Sequence, residues 1–76
     1  MRKPAPTAAK ILKELGRRLK AARQTAGLTQ EELAHRTGID YKRLQRLEGG
    51  KVNATVRTVV LVASALKIDF WALMRG

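Results

Sequence analysis

Residues 30–49 read QEELAHRTGIDYKRLQRLEG. Leu33 and Ala34, then Gly38 and Ile39, then Leu44 and Leu47 have the spacing of two short helices joined by a tight turn. Each residue type has a physical reason at its place. Ala34 is small, so a second helix can cross closely over the first. Gly38 can take the positive φ that a sharp turn needs and a side chain resists. Ile39, Leu44 and Leu47 are expected to face a core. Tyr41, Lys42, Gln45 and Arg46 then occupy the opposite face of the second helix, toward solvent. A helix face with those four side chains suits the major groove of DNA.

Outward from this run, the rest of the chain reads as helix. Thr7 is an expected N-cap for a first helix from Ala8. Ala8, Leu12, Leu15, Leu19 and Ala22 recur at steps of three and four, an amphipathic stripe. Lys10, Lys13, Arg17, Arg18 and Lys20 take its other faces. Gly16 lies inside this helix and weakens it by up to about 1 kcal/mol relative to alanine. Gly27 ends it. Thr29 caps the second helix, and Glu32 three residues on completes a capping box. Asp40 caps the third, from Tyr41 to about Glu48. Gly49, Gly50 and Lys51 form a loop. Thr55 caps a fourth helix through Leu66, with Val56, Val59, Ala63 and Leu66 expected on its core face. Asp69 caps a short fifth, from Phe70 to Met74. No strand signal, internal repeat or low-complexity segment is evident.

Residues 1–7 (MRKPAPT) read as a disordered basic arm and residues 8–76 as a single domain. Seventy-six residues are enough for one small domain with a modest core. The chain has no cysteine, which excludes a disulfide framework and a thiolate zinc site. Its one histidine, His35, builds no cluster and reads as a surface residue. No metal or other cofactor is implied. Lys67 and Asp69 interrupt the last apolar stretch, so nothing approaches the roughly 20 apolar residues of a membrane span. The basic N-terminus lacks an apolar h-region, which speaks against secretion, and the expected location is the cytoplasm.

The formal charge is +10. Such a bias in so short a chain points to a polyanion partner, nucleic acid or an anionic membrane surface, and charge alone does not choose between them. An enzyme reading finds little support. No phosphate-cradling glycine motif is present, and the acids Glu14, Glu31, Glu32, Asp40, Glu48 and Asp69 mostly have capping or pairing explanations. RNA-type aromatic platforms are absent too.

Residues 30–49 resemble the helix-turn-helix of the phage Cro/repressor-type transcription regulators, also called the Xre type. Upstream, LGRRLKAARQTAGLTQEELA (15–34) resembles that family's first helix running into its second. Downstream, LEGGK (47–51) resembles its link out of the recognition helix, and ALKIDFWALM (65–74) its last helix. The resemblance spans roughly residues 12 to 74. It implies an all-α, five-helix, lambda-repressor-like DNA-binding domain. It implies a homodimer on a palindromic operator, with half-sites about one helical turn apart.

The resemblance also assigns roles. Tyr41, Lys42 and Arg46 match base-contacting positions. Arg46 can be bidentate to guanine O6 and N7, Lys42 can donate to guanine, and Gln45 reads adenine or stays solvated. Tyr41 meets a thymine methyl or a phosphate. Gln30, at a helix start suited to phosphate, matches a backbone-clamping glutamine. Arg43, Lys51, Asn53 and Arg57 are the other expected phosphate contacts, with plain surface charge as the alternative for each. Apart from the family match, Arg2 and Lys3 are expected to lie along DNA or in a minor groove, as N-terminal arms do in some other DNA-binding domains, or else to serve as a solubilising tail. Arg23 and Glu48 match a partly buried ion pair bracing helix one against helix three. Val60, Leu61 and Trp71 are the candidate dimer contacts, since extra apolar residues on a surface suggest association. For Trp71 the alternative is folding back over the core. The second functional reading is an antitoxin-type module that binds a toxin and its own promoter. A third, weaker one is a membrane-surface protein bound through the basic first helix.

Overall fold

The computed structural model describes residues 4–75. Arg2 and Lys3 lie outside them, and residues 4–7 are exposed and belong to no helix. Among the described residues the chain forms five α-helices and no strand: α1 (Ala8–Thr25), α2 (Gln30–Thr37), α3 (Tyr41–Glu48), α4 (Val56–Ala65) and α5 (Phe70–Arg75). Local side-chain chemistry sets the boundaries. Thr7 Oγ1 accepts from the Lys10 N–H at 3.2 Å, Thr55 Oγ1 from Thr58 N–H at 3.1 Å, and Asp69 Oδ2 from Ala72 N–H at 3.2 Å. At α2 the capping box is closed in both directions, Thr29 Oγ1 accepting from Glu32 N–H and Glu32 Oε1 from Thr29 N–H. Each bond satisfies an N–H that has no partner within the helix.

Three helix ends close in one motif. Leu28, Lys51 and Ile68 donate their N–H groups back to the carbonyls of Arg23, Arg46 and Ala63, five residues earlier. This closure needs a left-handed residue just before the donor. Gly27 and Gly50 supply it in two cases, and Lys67, at φ 57°, in the third.

The core gathers Leu15 and Leu19 of α1, Leu28, Leu33 and Ala34 of the α2 region, and Leu44 and Leu47 of α3. Val59, Val62, Ala63 and Leu66 join them from the fourth helix and its cap, and Leu73 from α5. Leu19, Leu33, Leu44 and Val62 are fully buried. α1 packs on α3 and α5, α2 on α3 and α4, and α4 on α5. The helix-turn-helix is thereby held between its first and last neighbours.

Two expectations about the apolar stripes are corrected. Val56, expected on the core face, is 68% exposed, and Val62 is buried instead. Val59, Val62, Ala63 and Leu66 fall within an arc of about 100° on a helical wheel, whereas Val56 lies outside it in the first turn, beyond the edge of the core. Ala8 is likewise exposed, because the first turn of α1 runs past the elements it packs on.

α1 and α3 meet at an unusually short distance. A Cβ on Gly16 would lie 2.5 Å from the carbonyl oxygens of both Leu47 and Glu48. The glycine that weakens α1 locally is therefore what lets the recognition helix pack onto it.

Candidate nucleic-acid interface

α3 is amphipathic over its eight residues. Leu44, Leu47 and Glu48 are buried, and Tyr41, Lys42, Arg43, Gln45 and Arg46 are exposed. At about 100° per residue, Lys42, Gln45 and Arg46 lie mid-face, with Tyr41 and Arg43 at the flanks. Tyr41 is 38% exposed, and its Oη accepts from Gln45 Nε2 at 3.1 Å. This bond orients the Gln45 amide and leaves the tyrosine hydroxyl proton free to donate. Asp40 starts the helix, its Oδ2 accepting from the N–H groups of Lys42 and Arg43 at 3.1 and 3.3 Å. The turn before it works as the sequence required: Gly38 has φ 72°. Thr37 Oγ1 donates to the Leu33 carbonyl at 2.9 Å and accepts from the Ile39 N–H.

The face is anchored from behind by Arg23 and Glu48, each 7% exposed. Arg23 Nε donates to Glu48 Oε2 at 2.7 Å and Nη2 to Oε1 at 3.0 Å, a bidentate pair. Arg23 Nη1 also donates to the Leu28 carbonyl at 2.8 Å. No buried side-chain polar atom is left unpaired among the described residues, the condition under which a buried ion pair is tolerated. Gln30 joins the network, its Nε2 donating to Glu48 Oε1 at 3.0 Å. The side chain expected to clamp a phosphate thus has one amide hydrogen committed to the brace and one remaining. Among the described residues, the backbone N–H groups of Gln30 and Glu31 bond to no other group, so the start of α2 can still receive an anion. Glu32 stays ionised there, its carboxyl held below the usual range first by the Thr29 N–H and then by the Thr29 hydroxyl.

Lys51, Asn53 and Arg57 are exposed around the α3–α4 connection, and their side chains bond to no other group among the described residues. The apolar candidates lie on α4 and α5. Val60 is 40%, Leu61 43% and Trp71 66% exposed. Phe70 packs against the core, and Trp71 meets it edge-on, with ring centroids 5.1 Å apart. The adjacent aromatics therefore divide, one inward and one outward.

Sequence reasoning missed one structural hub. Arg18 Nη1 donates to the carbonyls of Leu73 and Met74 at 2.9 and 2.7 Å, closing the end of α5. Glu14 holds both Arg17 and Arg18. These bonds, that from Arg17 first, bring its carboxyl down to about 2.

With this geometry in place, comparison with known proteins identifies the lineage. The model of a helix-turn-helix family matches residues 19–70. The chain belongs to that family, the Cro/repressor-type helix-turn-helix proteins. Among curated proteins none matches it. Solved structures do. The restriction-modification controller protein C.AhdI from Aeromonas hydrophila is 34% identical, with a TM-score of 0.78 over 82% of this chain and 94% of that one. A helix-turn-helix transcriptional regulator from Vibrio cholerae is 28% identical, with a TM-score of 0.84 over 91% of this chain, which spans 39% of that one. The controller protein C.Esp1396I, solved as a tetramer in complex with its natural 35 base-pair operator, shares the fold at 24% identity, with a TM-score of 0.78 over 86% of this chain and 90% of that one. This helix-turn-helix protein is a DNA-binding transcription regulator and not an enzyme.

Proposed function

We propose that the protein is a homodimeric, sequence-specific regulator that sets α3 in the major groove of a palindromic operator. Tyr41, Lys42, Gln45 and Arg46 read base edges. Gln30, Arg43, Lys51, Asn53 and Arg57 hold phosphates and so fix register without reading sequence. The observation that carries this reading is the exposed face of α3. It offers a guanidinium, an ammonium, an amide and a phenol, and behind it Glu48 is fixed to Arg23 by two hydrogen bonds. A rigid helix with that donor set matches the donor and acceptor pattern of the major groove.

Geometry and surface support dimerisation. One eight-residue recognition helix spans only a few base pairs, and a second copy about 34–36 Å away doubles the contact. Val60, Leu61 and Trp71 supply the apolar surface for that copy. The tetramer of C.Esp1396I on its operator shows that the same fold supports assembly on DNA in that protein.

The test is selection of random duplex DNA by the purified protein at physiological salt, followed by sequencing. Enrichment of an inverted repeat is the expected result. Tight, salt-sensitive retention with no enriched sequence would overturn the reading.

A further inference from the structure

α1 carries a basic stripe that the reading above leaves unused. Lys10, Lys13, Arg17 and Lys20 follow one another at steps of three, four and three, which places them on one face over about 15 Å at 1.5 Å per residue. Arg17 is engaged by Glu14, whereas Lys10, Lys13 and Lys20 form no ion pair among the described residues. Lys10, Lys13 and Arg17 also precede the family-matched segment, which begins at residue 19.

The stripe is continuous with the end of the recognition helix. Its four cations line one shallow concavity together with Glu14, with Glu48 of α3 and the cap residue Gly49 on the other side. Glu48 is occupied by Arg23 and Gln30, so its charge is already balanced there. The turn after α3 touches α1 directly, since a Cβ on Gly50 would lie 2.6 Å from the Cα of Lys13. Lys51 follows in that turn, its N–H tied to the Arg46 carbonyl. The α1 stripe is therefore held in a fixed place against the end of α3, with Lys51 in the adjoining turn.

We propose that this stripe is a second phosphate-binding surface, which grips duplex DNA beyond the base pairs that α3 reads. The inference rests on the DNA reading above. Charge complementarity names the occupant. Each DNA strand presents one phosphate per about 3.4 Å of axis, so three free lysines spread over about 15 Å of helix face several anions at once. An anionic membrane is the lesser fit, because α1 keeps Leu15 and Leu19 in the core and leaves Ile11 as its one exposed large apolar side chain among the described residues, too little for an inserting face.

The test uses the full chain and a triple variant, Lys10→Gln/Lys13→Gln/Lys20→Gln. All three side chains are exposed, so unchanged circular dichroism and Tm are expected. Affinity is measured against salt on a selected operator with about one helical turn of flanking duplex on each side, and on random duplex. The expected result is a slope of log K against log[salt] shallower by about 2–3 units on both DNAs, at roughly 0.9 per phosphate, with their affinity ratio unchanged. A slope changed by less than one unit, in a wild type that does select an operator, overturns this inference alone. A wild type that selects nothing overturns it together with the DNA reading. Wild-type binding to phosphatidylserine-containing vesicles that the variant loses, with its DNA slope intact, overturns it in favour of a membrane.

Discussion

Gly16 and Glu48 touch across a gap that admits no side chain: a Cβ on the glycine would sit 2.5 Å from the Glu48 carbonyl oxygen. Alanine at position 16 would raise helix propensity by up to about 1 kcal/mol. The atoms it would strike are backbone carbonyls of α3, which cannot swing aside as a long side chain could. Overpacking of this kind costs about 1–3 kcal/mol or more. Gly16→Ala is therefore expected to lower Tm by roughly 5–15 °C, given 4–8 °C per kcal/mol in a domain of this size. A variant melting at or above the wild type would place α1 and α3 further apart than described.

The Arg23–Glu48 pair ties the same two helices by charge. Glu48→Ala leaves a buried guanidinium with only the Leu28 carbonyl for a partner, and is expected to cost about 3–5 kcal/mol. Replacing both residues together, Arg23→Met with Glu48→Leu, removes the unpaired charge and is expected to recover much of that loss. Urea denaturation of the wild type and the two variants tests this. A Glu48→Ala protein with full stability would show that the pair braces nothing.

Glu14 sets a pH dependence whose sign is defined. Hydrogen bonds from Arg17 and then Arg18 lower its carboxyl from 4.5 to about 2. The folded state binds the proton more weakly than the unfolded chain, so the contribution is complete above about 4.5 and is lost as pH falls toward 2. The side chain is partly exposed, and screening keeps the effect small. Carboxyl-carbon NMR should place the Glu14 titration near 2. The difference in Tm between wild type and Glu14→Gln should shrink between pH 5 and 2. An ordinary titration near 4.5 would mean that the Arg17 and Arg18 contacts do not persist in solution.

What could be read from the chain divides by range. Caps at Thr7, Thr29, Asp40, Thr55 and Asp69 act on residues two or three positions away, so their signal is complete within a short window, and all five hold in the structure. Periodicity gave the inward faces of α3 and most of α4, but a stripe says nothing of where the core ends. That is why Val56 was placed inside. Gly16 looked like a weak point because its reason, the end of α3, lies some thirty residues on. Arg18 gave no sign of its role, since its partners are the backbone carbonyls of Leu73 and Met74, which no side-chain pattern marks. The Arg23–Glu48 pairing came only from family resemblance. Twenty-five residues separate the two, and nothing local in either helix points to the other.

In the proposed complex the exposed face of α3 reads sequence, while Arg43 at its flank and the surrounding residues hold phosphates. The direct measurement is the affinity of Arg46→Ala and Lys51→Ala for the selected operator and for random duplex, over a salt series. Arg46→Ala is expected to lose about 1–3 kcal/mol on the operator, to tolerate substitution at one base position, and to bind random DNA almost as before. Lys51→Ala weakens both DNAs alike and flattens the salt slope by roughly one unit. Equal losses on operator and random duplex for Arg46→Ala would contradict this reading, because the mid-face guanidinium of α3 would then be gripping phosphate and reading nothing.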